Sequence, residues 1–240
     1  MNRGCQSVYG KDNELLFEGE WDPKVLIDII LTESDPSFFS GKRVLDIGAN
    51  TGGLSLEIAR LGADTVASEP DPYNNNISLT HDILMNLAEE ESLNLAIERK
   101  DFFSCHLLGK FDIILCLGLI YHFRYSQYML DYLSFLNPDT LFISTQTHPA
   151  SDIALYNRRD PSILKESFLK KEIVLTGWHP TRPLFERMLR WSGFDEVVSL
   201  TEAEFNFPKK QVGATNSAYY RAKCVESKDP EKEKVVYYPR

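Results

Sequence analysis

Short apolar runs and helical periodicities alternate along the chain from about residue 40. Short apolar runs bounded by turn residues are typical of buried strands, whereas apolar residues repeating every three or four positions indicate amphipathic helices. On this basis strands are predicted at residues 43–47, 64–68, 95–99, 111–117 and 140–145. Helices are predicted at 52–61, 125–136 and 183–191, and another begins at the Asp71-Pro72 step. This alternation predicts a parallel sheet covered by helices on both faces.

Two further strands are predicted near the C-terminus, at residues 196–201 and 218–225. The chain between them is too short for a right-handed helical crossover, so the last strand is expected to run antiparallel to its neighbours. The expected fold class is therefore α/β, with a seven-stranded, mostly parallel sheet. Residues 147–178 interrupt the alternation and are expected to be an insertion.

Charge and cysteine content exclude several classes of function. The chain has 26 Lys and Arg against 35 Asp and Glu, a formal net charge of -9, which argues against an extended nucleic-acid surface. Its four cysteines form no Cys-x-x-Cys pair, so neither a metal site nor a disulfide framework is expected. Residues 1–10 hold no apolar signal segment, and the longest apolar run, 113–121, is too short to span a bilayer. We therefore expect a cytoplasmic protein without a membrane partner.

A glycine-containing turn joins the first predicted strand to the first predicted helix. Such a turn lets a ligand approach the backbone, and the helix that follows is expected to present free N–H groups. Dinucleotide enzymes need glycine at the middle position of this turn, where Asn50 stands here. Asp46 at the strand end would also repel a pyrophosphate. The turn therefore favours a cofactor that carries an ammonium and a sulfonium group over NAD.

The pattern Asp46-x-Gly48-x-Asn50-x-Gly52 resembles the first motif of class I S-adenosylmethionine-dependent methyltransferases. The resemblance implies a Rossmann-like fold and S-adenosylmethionine as cofactor, with S-adenosylhomocysteine as product. It also implies that Glu69 accepts hydrogen bonds from the ribose hydroxyls. The cofactor-binding residues that it implies are Asp46, Gly48, Asn50, Gly52, Glu69, Asp101 for the adenine amino group, Phe102 for the ring, and Leu117 in the segment lining the methionine moiety.

A closer similarity is to the tRNA wobble-uridine 5-oxyacetic acid carboxymethyltransferases. Three segments carry it: residues 118–122, residues 178–181, and residues 7–10 with Trp21-Asp22. This similarity implies a carboxylated form of S-adenosylmethionine, held by Tyr121 and Arg221, with Arg3 in place of the lysine of that subfamily. The residues that follow this lysine in the subfamily are not kept, since Cys5 and Gln6 stand there.

The residues themselves and the resemblance together suggest how the chain is divided and which side chains react. Residues 1–35 are expected to cap the methyltransferase domain 36–225, residues 147–178 to form the acceptor side, and 226–240 to be a charged mobile tail. The expected catalytic residues are His122, Tyr121 and His179. The two histidines are chosen because imidazoles titrate where a general base is needed, and Tyr121 because it follows the fourth predicted strand and is expected to face the reacting centre. The expected acceptor-binding residues are Tyr9, Tyr156, Arg158 with its neighbour Arg159, and Trp178. His81 and His106 are expected at the surface.

The expected activity is methylation of an oxygen or nitrogen atom on a small molecule or a modified peptide. The negative net charge favours this acceptor class over tRNA. Two alternatives remain open from the sequence: a tRNA wobble-uridine carboxymethyltransferase and a catalytically silent, cofactor-binding partner subunit. The oligomeric state is not indicated by the sequence.

Overall fold

The structure is a computed structural model that describes residues 2–70, 75–123, 125–157, 178–201 and 217–224. The strands are β1 (Asn2–Gln6), β2 (Val8–Tyr9), β3 (Leu15–Phe17), β4 (Gly19–Trp21), β5 (Arg43–Ile47), β6 (Asp64–Ser68), β7 (Leu95–Glu98), β8 (Ile113–Cys116), β9 (Thr140–Gln146), β10 (Leu155–Asn157), β11 (Trp178–Pro180), β12 (Glu196–Ser199) and β13 (Ser217–Lys223). The α-helices are α1 (Pro23–Ile30), α2 (Gly53–Arg60), α3 (Asn75–Glu90), α4 (Ser126–Phe135) and α5 (Arg182–Trp191).

Seven of these strands form the central sheet, in the order β12-β13-β9-β8-β5-β6-β7. Neighbours from β9 through β7 pair in parallel, whereas β13 is antiparallel to both β9 and β12. The predicted seven-stranded, mostly parallel sheet with an antiparallel last strand is confirmed. The strand order reverses between β5 and β8, and ligands in open α/β sheets bind at such a switch point.

Helices cover both faces of this sheet. All four residues of β8 are buried, as expected for a strand with no face towards water. Ile114 and Cys116 pack in a cluster with α4 and α5, whereas Ile113 and Leu115 pack in a second cluster with α1 and α2. The apolar run that predicted this strand therefore reflects burial on both faces.

The N-terminal segment forms two small sheets of its own. β1 pairs in parallel with β4, and β2 pairs antiparallel with β3. This segment lies directly on the start of α2, since a Cβ atom added to Gly53 would come within 2.1 Å of the carbonyl oxygen of Ser7. Residues ahead of the central sheet are thereby brought to the turn that follows β5.

Some predicted segments are only partly described. The described part of the insertion 147–178 contains β10, which pairs antiparallel with β11, the strand that begins at the last residue of the insertion. The predicted helix start at Asp71-Pro72 lies outside the described residues, and α3 is described from Asn75 onward. The tail 226–240 also lies outside them. None of the described helices has the length and hydropathy that a bilayer-spanning segment requires.

Candidate active site

A cavity of ≈ 680 Å³ lies at the carboxyl ends of β5, β6, β7 and β8. We call it the main cavity, and its volume is in the range of pockets that hold a drug-sized ligand or cofactor. Its wall includes sequence-predicted cofactor residues from all four strand ends. The lining residues are Gln6, Trp21, Ile47, Gly48, Asn50, Glu69, Pro70, Lys100, Asp101, Phe102, Phe103, Leu117, Gly118, Leu119, Tyr121, His122 and Phe123.

Gly48 forms the turn after β5 with a backbone conformation that favours glycine. Its φ is 72°, and a Cβ atom added there would lie 3.2 Å from Cδ2 of Leu119. The turn after β5 and the segment after β8 therefore touch at this point. The close approach leaves backbone, rather than a side chain, facing the main cavity.

Both the backbone N–H and the backbone carbonyl oxygen of Asn50 form hydrogen bonds with side chains. Its N–H donates to Oε2 of Glu69 at 2.7 Å, and its carbonyl oxygen lies 2.7 Å from Nε2 of His81. Asn50 has a φ of 56°, in the left-handed region that few residues other than glycine and asparagine adopt. The two contacts hold the loop in this conformation.

Glu69 is 6% exposed and lies on the wall of the main cavity. Burial raises its pKa, while the Asn50 N–H and the charge of Arg99 act in the opposite direction. A carboxylate in this position can accept further hydrogen bonds besides the one from Asn50, because its two oxygens offer about four acceptor sites. It is therefore suited to bind a ligand's hydroxyl groups.

His81 was expected at the surface, and that expectation was wrong, because the side chain is only 3% exposed. It lies on the buried face of α3, between Ile77 and Leu84. Burial lowers its pKa, which favours the neutral ring. The neutral ring donates its Nε2–H to Asn50, while Nδ1 has no hydrogen-bond partner in the part of the chain described. His106, by contrast, is exposed as expected.

Asp46 supports the turn after β5 from behind. It is 3% exposed, is not among the residues that line the main cavity, and accepts a hydrogen bond from Oγ of Ser55 on α2 at 2.6 Å. Burial raises its pKa to about 6, and the charge of Glu69 acts in the same direction. The structure therefore places Asp46 as a link between β5 and α2, whereas the sequence placed it at the cofactor.

Gly52 also lies behind the cavity wall. It is the N-cap of α2 with a φ of 78°, which explains why the helix begins at Gly53. A Cβ atom added to Gly52 would come within 2.3 Å of Cδ2 of Leu84. The positive φ favours glycine there, and a Cβ atom would also press on Leu84 of α3, so this glycine serves the turn and its packing rather than the cavity wall.

The sequence suggested that the start of α2 presents free N–H groups, but one of these groups already donates a hydrogen bond within the protein. The N–H of Leu54 donates to Oε1 of Gln6 at 2.7 Å. Gln6 is also bonded through its backbone to Thr51, whose Oγ1 both accepts from the Gln6 N–H and donates to the Gln6 carbonyl. A side chain from the N-terminal segment thus caps the helix and lines the main cavity at once.

Asp101 and Phe102 follow β7 and line one end of the main cavity. The Asp101 carboxylate accepts from the N–H of Ser104 at 3.1 Å and from its Oγ at 2.9 Å, so it caps the turn that follows. The ring of Phe102 is buried and packs 5.7 Å from that of Phe123 between centroids. These residues form an aromatic wall with an acid at its rim.

Tyr121 and His122 meet the main cavity at the end of β8. Their ring centroids are 4.2 Å apart, with Tyr121 buried and His122 exposed. His179 on β11 lies behind Tyr121, with a centroid separation of 6.2 Å. It is not among the residues that line the main cavity. The structure thus brings the three predicted catalytic residues into one cluster and places two of them on the cavity wall.

The predicted acceptor-binding residues are not gathered in the same way. Tyr9 is not among the lining residues, and its ring lies under Nζ of Lys24 at 4.1 Å from the centroid. Tyr156 pairs with His179 between β10 and β11, but its side chain and that of Trp178 lie outside what the structure describes. Arg158 and Arg159 lie outside the described residues.

Several lining residues were not singled out by the sequence analysis as site residues. Gln6 had been noted only as a departure from a subfamily pattern, and Trp21 only as part of a marker. Lys100 and Phe103 adjoin the Asp101-Phe102 pair that had been predicted, so the segment after β7 could have been extended by one residue on each side. Gln6 and Trp21 carried no such signal, because their placement depends on the small sheet formed by β1 and β4.

Solved structures with the same fold include methyltransferases and a domain crystallised with S-adenosylhomocysteine. The N-terminal domain of EvdMO1, determined with S-adenosylhomocysteine bound, has a TM-score of 0.61 and 19% identity, covering 85% of this chain and 82% of that one. Magnesium protoporphyrin IX methyltransferase from Synechocystis PCC 6803, with S-adenosylhomocysteine bound, has a TM-score of 0.54 and 15% identity over 85% of this chain and 82% of that one. The 1,6-didemethyltoxoflavin-N1-methyltransferase of Burkholderia thailandensis has a TM-score of 0.55 and 15% identity, covering 85% of this chain and 77% of that one. At these identities the likeness establishes the fold.

Sequence comparison adds a curated relative and a family. A ubiquinone biosynthesis O-methyltransferase of Cereibacter sphaeroides (strain ATCC 17025 / ATH 2.4.3) is 33% identical over 90 residues, which is 37% of this chain and 34% of that protein. The match thus spans about a third of that relative's length. The family described as "Methyltransferase domain" matches residues 19–197, which include the turn after β5, Glu69 and the segment after β8. The chain belongs to this methyltransferase domain family.

Proposed function

We propose that this protein binds S-adenosylmethionine in the main cavity and transfers its methyl group to an oxygen or nitrogen atom of a small molecule or modified peptide. The observation that carries the proposal is the convergence of the Gly48 turn, the buried Glu69 carboxylate and the Phe102 wall on one cavity. These groups suit a nucleoside that carries a sulfonium side chain, because they offer hydroxyl acceptors, an aromatic wall and close backbone approach. The binding of S-adenosylhomocysteine by structural neighbours supports the same cofactor.

Each cofactor-binding residue has a proposed role that fits its position. Glu69 binds the ribose hydroxyls, Phe102 packs on the adenine, and Asp101 at the rim accepts from the adenine amino group. Gly48 and Leu117 face the methionine part, with Asn50 holding the loop. Asp46 and Gly52 act from behind the wall, through Ser55 and Leu84 respectively.

Methyl transfer proceeds as an in-line displacement in which the acceptor atom attacks the methyl carbon and the sulfur leaves with the bonding electrons. S-Adenosylmethionine supplies an already activated leaving group, so alignment of the acceptor contributes much of the rate. We propose that Tyr121 and His122 orient the acceptor, and that His122 removes its proton. His179 is placed to position Tyr121 by ring contact.

An ordinary cofactor is favoured over a carboxylated one. Arg221, the residue that the closer resemblance assigns to a cofactor carboxylate, does not appear among the lining residues of the main cavity. Its guanidinium lies 3.5 Å from the carboxylate of Glu196 on β12. The side chain of Arg3 lies outside what the structure describes. These placements, together with the net charge of -9, favour a methyl donor and a small acceptor over tRNA carboxymethylation.

Oxygen is the favoured acceptor atom. The curated relative, whose match covers 37% of this chain, is named as an O-methyltransferase. The didemethyltoxoflavin neighbour is an N1-methyltransferase, so nitrogen remains the second candidate. Tyr9, Tyr156, Arg158 and Trp178 are kept as proposed acceptor-side residues, and residues 1–35 as the proposed cap.

Isothermal titration calorimetry tests the cofactor. Wild-type protein is expected to bind S-adenosylhomocysteine with one site, and Glu69→Ala to bind it at least tenfold more weakly, because a charged hydrogen-bond acceptor is lost. Glu98→Gln, at the end of β7 and not among the main-cavity lining residues, is the matched control. Binding of NAD without S-adenosylhomocysteine would overturn the proposal.

The reaction itself is tested with isotopically labelled S-adenosylmethionine and extract of the producing cells. A labelled small molecule or peptide is the expected product, identified by mass spectrometry. Cofactor binding without any labelled product would indicate the silent partner subunit instead. Mass spectrometry of ligand that copurifies with the protein separates the ordinary from the carboxylated cofactor.

A further inference from the structure

The helix α4 carries apolar side chains on two of its sides. On the first side, Met129, Leu130 and Leu133 are buried in the cluster that α4 and α5 form with the central sheet. The second side carries an aromatic stripe at intervals of three, four and three residues, which places the rings in one line along the helix: Tyr125, Tyr128, Tyr132 and Phe135. The apolar surface of α4 therefore extends well beyond the side that packs on the sheet.

The segment after β7 widens this stripe. The ring of Phe103 lies 5.3 Å from those of both Tyr128 and Tyr132, between centroids. Oη of Tyr132 donates to the carbonyl oxygen of Phe103 at 3.0 Å and accepts from the N–H of His106 at 3.0 Å, so the two segments are fixed to each other. We call the five rings the aromatic face: Phe103, Tyr125, Tyr128, Tyr132 and Phe135.

The area of the aromatic face is that of a protein interface. Apart from the half-buried Tyr132, its rings are between 37% and 73% exposed. Since an aromatic side chain has about 150–250 Å² to bury, these four rings leave roughly 400–600 Å² of aromatic surface in water. This is the upper range for apolar patches on monomers, and it is at least half of the ~800 Å² that each partner contributes to a stable interface.

The aromatic face is also nearly uncharged. Residues 102–108 and 125–135 contain one formal charge, that of Asp131, although 25% of the whole chain is charged. Asp131 accepts a hydrogen bond from Oγ of Ser192 on α5 at 2.6 Å, so its carboxylate is engaged beside the aromatic stripe. Depletion of charge with enrichment of Tyr and Phe is typical of the core of an interface.

The charge of the chain indicates which partner suits this face. A strongly charged partner would gain no ion pairs from an uncharged surface, whereas two copies that each carry a net charge of -9 can approach where their charges are few. A straight stripe of large side chains along one helix is matched by a second stripe of the same kind, whose side chains fit between its own. A second copy of this chain supplies such a stripe.

We infer that the aromatic face is the interface of a homodimer, in which α4 of one copy packs against α4 of a second copy about a two-fold axis. A two-fold interface brings the same patch of both copies together, so one exposed stripe is sufficient. Because Phe103 also lines the main cavity, the second copy lies beside the end of that cavity that Asp101 and Phe102 form. The dimer does not depend on the proposed function, since the aromatic face is present without any cofactor.

Sedimentation velocity of the full chain tests the dimer. From about 1 to about 100 µM, the wild type is expected to convert from one chain to a species of two chains. Added salt should leave this association unchanged or strengthen it, because it screens the repulsion between two copies of like net charge. A wild type that stays monomeric over this range, or a dimer that salt dissociates, would overturn the inference, the first in favour of another occupant and the second in favour of an ionic interface.

A charged variant locates the interface. Tyr128→Glu combined with Phe135→Glu places two carboxylates on each face and should raise the Kd of the dimer at least a hundredfold. Leu79→Glu combined with Met85→Glu, at exposed apolar positions of α3, is the matched control and should dimerise as the wild type does. A full-strength dimer in the first variant places the interface elsewhere. Loss of the dimer in both variants would show that added charge alone is responsible, which also contradicts the inference.

A milder variant keeps the test independent of folding. Glu is a good helix former at an exposed position, and circular dichroism with thermal melting shows whether each double variant is folded. Phe135→Ala alone adds no charge and should raise the Kd of the dimer about tenfold. An unchanged Kd in folded Phe135→Ala would remove this ring from the interface and contradict the assignment of the stripe.

Discussion

The Nε2 atom of His81 lies 2.7 Å from the carbonyl oxygen of Asn50, in the turn between β5 and α2. The backbone N–H of Asn50 donates to the carboxylate of Glu69, so the backbone at Asn50 is held by an imidazole and a carboxylate. Burial lowers the pKa of the imidazole, which favours the neutral ring. Because a carbonyl oxygen can only accept, Nε2 carries the hydrogen and donates it. The helix α3 thereby fixes a loop that faces the main cavity, although His81 itself is not among its lining residues.

His81→Ala should weaken S-adenosylhomocysteine binding by about three- to tenfold, the effect of one net hydrogen bond on a loop that must be ordered to bind. His81→Gln can place an amide N–H near the Asn50 carbonyl and should recover most of the affinity. Calorimetry well below the melting temperature of each variant separates this effect from lost stability. Equal affinity in all three proteins would show that His81 serves packing alone.

The pKa of Asp46 makes stability depend on pH. In the folded protein this pKa is raised from 3.8 to about 6 by burial, so the folded state favours the protonated acid. The resulting stabilisation is present below about pH 4 and is lost as the pH rises through 6, by about 3 kcal/mol in total. Asp46→Asn cannot ionise, so its stability relative to wild type should increase by this amount between pH 4 and 8.

Denaturant unfolding at several pH values measures this difference. The slope with pH is diagnostic, because the new amide also adds a pH-independent cost at a buried site. Asp139→Asn, which changes an exposed acid, is the control and should leave the pH dependence of the wild type in place. A constant offset between wild type and Asp46→Asn at every pH would contradict the raised pKa.

The side chain of Gln6 contributes to stability through its hydrogen bond with the N–H of Leu54 at the start of α2, a contact that the sequence does not indicate. Gln6→Ala removes the acceptor of the Leu54 N–H and should lower the free energy of unfolding by about 1–2 kcal/mol. Gln6→Glu keeps an acceptor oxygen at the N-terminus of α2, where the helix dipole favours negative charge, and should retain more of the stability. If both variants lose the same amount in thermal unfolding, packing rather than capping is what Gln6 provides.

The central sheet could be predicted because each strand is an apolar run ended by a turn residue. β5 and β6 have the bounds predicted for them, and the short link before the last strand indicated its antiparallel direction. The small N-terminal strands could not be predicted, since β2 has two residues and β3 and β4 have three, too few to show a periodicity. Together with β1 they nevertheless bring Gln6 and Trp21 to the main cavity.

The candidate site was predicted more fully at the ends of the strands than behind them. Glu69, Asp101 and Tyr121 follow strands, and the carboxyl ends of parallel strands share one edge of the sheet. The burial of His81 had a signal that was missed: it lies four residues after Ile77 and three before Leu84, both fully buried on α3. The direction in which Asp46 points had no such signal, because it depends on how α2 packs against β5.

The ring of His122 is on the wall of the main cavity, 4.2 Å between centroids from that of Tyr121. If His122 removes a proton from the methyl acceptor, His122→Ala should lower kcat by about 10²- to 10⁴-fold, while the affinity for S-adenosylhomocysteine stays within about twofold. The pH–rate profile should also lose the rising limb that a neutral imidazole base produces. His106→Ala, which removes an exposed imidazole not among the lining residues, is the matched control and should keep the wild-type profile. A His122→Ala enzyme that turns over normally but melts at lower temperature would assign this histidine to structure, and the acceptor would then lose its proton without this side chain's help.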